Sequence, residues 1–148
     1  MKLCQFVIVI VLLFGGVVAA AGPQEPPKCS GQESVYDELK KAPDKFRGKT
    51  NPLANDPDAV AAGGILFEEH CEECHGKEGM GGRKAPSLRA EEVQNAVPGA
   101  IFWILSNGVV RKKMPVWSKL PEPERWQLVC FIKSLGAASA RASQPGKP

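Results

Sequence analysis

One short run of hydrophobic residues lies near the start of the chain. Residues 6–18 are apolar apart from two glycines, Lys2 supplies a positive charge before them, and the alanines at 19–21 form a small-residue A-x-A site. This order is typical of a secretory signal that is cleaved. The run is short for a full membrane span, although an uncleaved anchor is the alternative. We therefore predict export to the periplasm or an equivalent compartment, with residues 1–21 removed near Ala21.

Beyond this run, the spacing of hydrophobic residues predicts helices. Asp56 can cap a helix whose first residue is Pro57, and Gly108 and Gly136 stand where two later helices are expected to end. No segment alternates convincingly between apolar and polar residues, so the chain is predicted to be all-α. The predicted helices run from about Asp58 to Cys71, around Glu91 to Val97, from Pro98 to Gly108, and from Glu124 to Leu135.

Prolines separate an irregular N-terminal extension from the folded domain. Residues 22–53 contain five prolines, which rules out one continuous helix or a central strand. One short helix is expected inside the extension, because Ser34 and Asp37 resemble a capping box and Pro43 can end it. We predict that residues 22–53 form a linker or a strap over a domain at 54–136, followed by a flexible tail at 137–148.

Composition narrows the class of protein. The 148 residues are 43% hydrophobic and 24% charged, which fits one globular domain with additional segments. The net charge of +3 is too small to indicate nucleic-acid binding. One of the five cysteines, Cys4, lies in the predicted signal, so four remain in an exported and oxidising setting.

Two of these cysteines and a histidine form the motif with the clearest chemistry, Cys71-Glu72-Glu73-Cys74-His75. The spacing C-x-x-C-H is typical of covalent attachment of a c-type haem. Residues three and four apart share one face of a helical turn, so both thiols can reach the two vinyl groups on one porphyrin edge. The motif therefore predicts one haem c bonded to Cys71 and Cys74, with His75 as an iron ligand.

Three other interpretations of this motif compete. A thioredoxin-like redox pair expects a βαβ context, which the predicted helices do not provide. A zinc site could use Cys71, Cys74, His75 and His70, but His70 faces a different direction from His75 on a helix. A simple disulfide is the remaining alternative. Export, the all-α pattern and a candidate second iron ligand together favour haem.

Met114 is the candidate for that second ligand. Of the three methionines, Met1 lies in the signal and Met80 is too close to His75 in the chain to cross the porphyrin comfortably. Met114 precedes Pro115, which restricts it to extended conformations and suits a loop that presents a thioether sulfur. The alternative is that Met114 fills a gap in the core. With the haem motif upstream, we favour ligation.

Residues 54–135 resemble the class I monohaem c-type cytochrome family. This resemblance implies a small helical fold wrapped around one haem, with His75 and Met114 as axial ligands. It also implies that Pro86 offers its carbonyl to the other ring nitrogen of His75, which would fix the tautomer. The matching pieces are Gly63 and Phe67 in the first helix, CEECHG at 71–76, APSL at 85–88, Asn107-Gly108, MPVW at 114–117 and the closing RWQLVCFIKSL.

The same resemblance has implications for packing. Gly63 is implied to let the first and last helices cross closely, with Phe67 near Phe131. The extension at 22–53 departs from the family, and so does Cys130 in the last helix. Because Cys29 and Cys130 are the thiols left after haem attachment, a disulfide between them is suggested. The alternative is that Cys130 is a small buried hydrophobe and Cys29 is unpaired.

An iron held by both His75 and Met114 has no open position for a substrate, so we predict an electron-transfer protein and not an enzyme. Neutral thioether ligation raises the reduction potential. Leu88, with Trp103 and Trp117, is a candidate for the apolar wall around the haem. We expect redox proteins as partners. The alternatives are a haem subunit docked permanently on a periplasmic dehydrogenase or oxidase, and a ligand-binding sensor if Met114 is not bound to the iron.

Overall fold

The computed structural model describes residues 34–142, with side chains described as far as residue 136. Within this range the regular elements are helical, apart from one isolated β-bridge. The predicted all-α class is therefore confirmed. The α-helices are α1 (Asp44–Arg47), α2 (Pro57–His70), α3 (Glu72–His75), α4 (Glu91–Gln94), α5 (Pro98–Asn107) and α6 (Glu122–Ala142), and 3-10 helices span Val35–Lys41, Lys77–Gly79 and Val110–Lys112.

The predicted signal at 1–21 lies outside the described residues, as do Cys29 and the last six residues of the tail. Within residues 34–142, no helix is both long and apolar enough to cross a membrane.

Capping residues begin two of the helices where the sequence indicates. The Asp56 side chain accepts a hydrogen bond from the Asp58 amide, and Pro57 occupies the first turn of α2. Ser34 and Asp37 form a capping box at the start of the 3-10 helix Val35–Lys41. Both caps satisfy amides that a helix leaves unpaired at its N-terminus, and both were predicted.

The centre of the domain is the crossing of α2 and α6. A Cβ added at Gly63 would lie 2.1 Å from the Gln127 carbonyl oxygen, so only glycine permits this approach. One turn further on, the Phe67 and Phe131 rings lie 5.0 Å apart. Both implied contacts are confirmed. Phe67, Leu128 and Val129 are almost completely buried there, and the core continues into α5 through Phe102 and Leu105.

The described part of the N-terminal extension packs on this core. Tyr36, Leu39, Phe46 and Leu53 are partly buried against the central hydrophobic cluster. Asn51 donates from its amide to the Trp126 carbonyl in α6, at 3.1 Å. These contacts join residues 34–53 to the helical domain.

Two predicted helix ends are wrong. The last helix continues through Gly136 to Ala142. Gly136 does not end the helix; it lets the Gln94 side chain pack closely, in the space that a Cβ would occupy. The helix predicted at 91–97 ends at Gln94, and Val97 is extended because the following Pro98 disfavours the helical conformation before it.

Candidate functional site

The motif Cys71–His75 forms one tight helical turn after α2. The backbone breaks at Cys71, which ends α2 and precedes α3, with φ −124° and ψ −31°. The Cys71 carbonyl then accepts hydrogen bonds from the amides of Cys74 and His75, at 3.1 and 3.0 Å. Both thiols are free, with Cys71 partly buried and Cys74 exposed. The turn thus presents two thiols and an imidazole from five consecutive residues.

The His75 ring is buried and hydrogen-bonded. Its Nδ1 lies 3.0 Å from the Pro86 carbonyl oxygen. That oxygen can only accept, so Nδ1 donates, and Nε2 carries the lone pair in the neutral ring. Burial lowers the pKa of His75, and the Pro86 hydrogen bond opposes the shift. The ring is therefore neutral at pH 7 and suited to bind a metal through Nε2.

The loop after His75 turns back so that Pro86 reaches the ring. Gly81 has φ +77°, and its amide donates to the His75 carbonyl at 2.6 Å. A Cβ added to Gly81 would lie 2.4 Å from the Ser87 amide nitrogen, so the backbone at Gly81 packs directly against the backbone at Ser87. Glycine is needed at position 81 because the backbone there passes directly against Pro86 and Ser87.

Leu88 joins the same loop to the last helix. Its amide donates to the Gly79 carbonyl at 2.8 Å, and its carbonyl accepts from the Gln94 side chain at 2.6 Å. A Cβ added to Gly79 would meet the side chains of both Leu88 and Leu135. The structure therefore places His75, Pro86 and Leu88 on one loop that is closed onto α6.

Burial of Cys71 does not favour the thioredoxin-like interpretation of the two thiols. Burial raises the pKa of Cys71 to about 11, with the neighbouring Cys74 as the smaller cause. A thioredoxin-like pair depends on a lowered thiol pKa, which makes the thiolate available at neutral pH. Residues 34–142 also contain no group of three or more His, Cys, Asp or Glu side chains arranged to bind a metal ion, as the zinc alternative requires.

Met114 lies on a second loop, which follows α5. Its amide and carbonyl both bond to Val109, at 3.2 and 3.1 Å, and form the isolated bridge. Lys113 adopts the left-handed conformation that allows this turn. Met114 is partly buried, and it packs against the same central cluster as Cys71 and Leu88. The structure thus brings both loops onto one core.

Comparison with protein families decides the class of this site. The family model described as "Cytochrome C oxidase, cbb3-type, subunit III" matches residues 58–132, which is just over half of the chain. The chain belongs to this family of c-type cytochromes. No curated protein matches it.

A solved structure supports the fold of this cytochrome. The chain is similar to the crystal structure of cytochrome CL from the marine methylotrophic bacterium Methylophaga aminisulfidivorans MPT, with a TM-score of 0.52 and 20% identity. The match covers 81% of this chain and 85% of that one. It therefore includes residues outside the range of the family model.

The cytochrome is a haem electron-transfer protein with covalently bound haem c, and its donor set fits that group. Two thiols one helical turn apart are the groups that thioether attachment uses. A buried neutral imidazole beside them would be available to bind the iron through one nitrogen, since its other nitrogen is fixed by a carbonyl, as is usual for metal-bound histidine.

Sequence reasoning missed the contacts between the extension and these two loops. The Tyr36 hydroxyl donates to the Ser87 carbonyl, and Glu38 pairs with Arg111. Cys130 carries a free thiol near Asn51 and the Leu53 carbonyl, while Cys29 lies outside the described residues. The suggested disulfide between Cys29 and Cys130 stays a prediction.

Proposed function

We propose that this cytochrome is an exported carrier of single electrons, with haem c bonded to Cys71 and Cys74 and its iron held by His75 and Met114. The main support is the buried His75 ring, whose Nδ1 lies 3.0 Å from the Pro86 carbonyl in a turn that carries both thiols. Haem with two axial ligands exchanges electrons without an open coordination position.

His75 is the proposed proximal ligand, and Pro86 is the residue that orients it. The hydrogen bond to Pro86 fixes the tautomer, so Nε2 is the nitrogen that binds the iron. It also makes the imidazole a better donor and limits rotation of the ring. Leu88 is proposed to contribute apolar surface on this side, since it packs against the central cluster beside the same loop.

Met114 is the proposed distal ligand. It is partly buried against the cluster that also contacts Cys71, whereas Met80 is 61% exposed and follows His75 within one loop. A thioether ligand favours reduced iron and raises the potential. If His75 and Met114 both held the iron, the iron would have no open position for a substrate, and we propose that the protein is not an enzyme.

The N-terminal sequence supports export. Residues 1–21 have the order of a cleaved secretory signal, and haem attachment to free thiols is compatible with a mature periplasmic protein. The proposed partners are redox proteins in the same compartment, one donor and one acceptor.

Replacement of Met114 tests the proposal. In the purified oxidised haem protein, Met114→Ala is expected to abolish the weak far-red absorption that arises from a bond between sulfur and iron. It is also expected to lower the midpoint potential and let carbon monoxide bind rapidly to the reduced form. Met80→Ala is the matched control, and it should change none of the three readouts.

Two results would contradict the proposal. An unchanged spectrum and potential in Met114→Ala would exclude Met114 as the ligand. Rapid carbon monoxide binding by the unmodified reduced protein at neutral pH would favour a ligand-binding sensor over a closed electron carrier.

A further inference from the structure

The 3-10 helix Val35–Lys41, here called the brace, contacts both loops of the proposed haem site. The Tyr36 hydroxyl donates to the Ser87 carbonyl at 3.2 Å. Two residues further along the brace, Glu38 Oε1 accepts from Arg111 Nη2 at 2.5 Å. Two side chains of the brace therefore link the loop of His75 and Pro86 to the loop of Met114.

The contact on the His75 side acts on the backbone next to Pro86. The Ser87 carbonyl accepts from Tyr36, while the Ser87 hydroxyl bonds to the Gly79 carbonyl and accepts from the Arg89 amide. Tyr36 is partly buried, and burial raises the pKa of its hydroxyl, so the group stays protonated and donates. Tyr36 therefore holds a loop that already has several internal hydrogen bonds.

The contact on the Met114 side acts on the turn that precedes Met114. The Glu38 side chain is 11% exposed and accepts from both Lys41 and Arg111. Arg111 belongs to the 3-10 helix Val110–Lys112, only two residues after Val109 and three before Met114. The bridge between Val109 and Met114 closes the base of this loop, and Glu38 fixes its outer turn.

We propose that Tyr36 and Glu38 are positioning residues, and that Glu38 acts through Arg111 to keep Met114 on the iron. This inference rests on the proposed function, in which His75 and Met114 are the ligands. The Arg111 side chain is 65% exposed, so the ion pair contributes little to global stability. The effect of the ion pair is local, because the Met114 loop opens more often when Arg111 loses its contact with Glu38.

Opening of the loop can be measured by a competing ligand. Imidazole binds ferric iron only after Met114 leaves, so its apparent affinity reports the open fraction. Loss of an ion pair whose arginine is exposed should raise that affinity about two- to five-fold in Glu38→Gln. Asp44→Asn is the matched control, since it removes an ion pair with Arg47 inside the same extension and should leave the affinity unchanged.

A double-mutant cycle separates positioning from a general structural effect. Arg111→Gln should raise imidazole affinity as much as Glu38→Gln, and the double variant should show no further increase. Amide hydrogen exchange at Val109 and Met114 should quicken in all three variants, while the exchange of core amides in α2 stays the same. In Tyr36→Phe we expect a shift in midpoint potential with imidazole affinity within two-fold of the parent.

The outcomes distinguish this inference from the proposed function. If the parent protein lacks the far-red absorption of methionine ligation, the proposed function is wrong. The proposed role of the brace, which rests on that function, is then wrong as well. If the parent has that absorption but Glu38→Gln and Arg111→Gln leave imidazole affinity and amide exchange unchanged, only the role of the brace is overturned. Additive effects in the double variant would also overturn it.

Discussion

The His75 loop and the Met114 loop are held in different ways. The His75 loop is tied to itself: Gly81 bonds to His75, and Arg89 pairs with Glu78 at 2.8 Å. It also follows directly on the two thiols that are proposed to attach the haem. The Met114 loop has its bridge to Val109, backbone bonds from Lys112 to Val109 and from Lys113 to Val110, one backbone bond from Trp117 to Leu105, and the Arg111 contact with the extension.

This difference predicts which ligand is lost first. The His75 side would combine the proposed covalent attachment with local hydrogen bonds, so the imidazole should stay near the iron even when parts of the fold open. The Met114 side would be held by noncovalent contacts alone, and surface loops open at lower free energy than the core of a protein. We therefore expect mild destabilisation to release Met114 while haem and His75 remain in place.

The largest effect should follow from removing the attachment itself. Replacing both Cys71 and Cys74 with Ala should give a chain without covalent haem and with a poorly formed core, because a domain this small has little other buried surface. Intact mass after acid and acetone extraction measures the attachment. Cys130→Ala is the control, and it should keep its haem through the same extraction. Haem retained by the double variant would contradict the attachment.

Substitution of Gly81 tests the His75 loop. Gly81→Ala places a Cβ 2.4 Å from the Ser87 amide nitrogen at φ +77°, so we expect a loss of about 2 to 4 kcal/mol in the free energy of unfolding. Gly82→Ala is the control, because nothing lies within 4 Å of its Cβ. Urea denaturation of the haem proteins measures both. Equal midpoints for the two variants would show that the loop does not need this close approach.

Features encoded within a few adjacent residues were predictable from the sequence. The cap formed by Asp56 and Pro57, the end of α5 before Gly108 and the turn of Cys71–His75 each depend on local geometry, and the structure has all three. The hydrogen bond from His75 to Pro86 came from the family resemblance, since spacing alone does not bring those residues together.

Contacts made by the N-terminal extension, which departs from the family, were not predictable. Tyr36 and Ser87 are 51 positions apart, and Glu38 and Arg111 are 73 apart, so only the folded backbone brings them together. Gly136 shows a second limit. Glycine both ends helices and permits close packing, and the sequence does not say which role applies until Gln94 is seen beside it.

A smaller loss of stability is expected from a substitution of Gly108, at the base of the Met114 loop. Gly108 has φ +65° and ψ −178°, a conformation essentially restricted to glycine, and its Cβ would meet the Pro115 carbonyl oxygen at 2.6 Å. Gly108→Ala should lower the free energy of unfolding by about 1 to 3 kcal/mol. It should also remove the far-red absorption while leaving covalent haem intact.

The control for this loop is Gly48→Ala in the extension, where an added Cβ makes only an ordinary contact with the Asp44 carbonyl. It should retain the far-red absorption. If Gly108→Ala keeps that absorption too, the Met114 loop is more strongly held than its few contacts indicate, and the contrast between the two loops fails.

The smallest effect concerns pH and the ion pairs of Glu38. Hydrogen bonding from Lys41 lowers the pKa of Glu38 below 4.5, opposed by burial and assisted by Arg111. A carboxylate whose pKa is lower in the folded state stabilises that state above its unfolded pKa, and the contribution disappears as pH falls through the folded value. Glu38→Gln should therefore unfold more easily than the parent at pH 7, by about 0.2 to 1 kcal/mol.

The difference in free energy of unfolding between the parent and Glu38→Gln should shrink below pH 4.5 and vanish once Glu38 is protonated in the folded parent. Urea midpoints of the parent and Glu38→Gln across pH 3 to 7 measure it, and comparing the two proteins cancels the other carboxylates that both contain. The imidazole affinities of the two proteins should converge over the same range if the Met114 loop is what the ion pair holds. Convergence of stability without convergence of imidazole affinity would place the effect of Glu38 in the extension alone, and the Met114 loop would then owe its position to Val109 and Gly108.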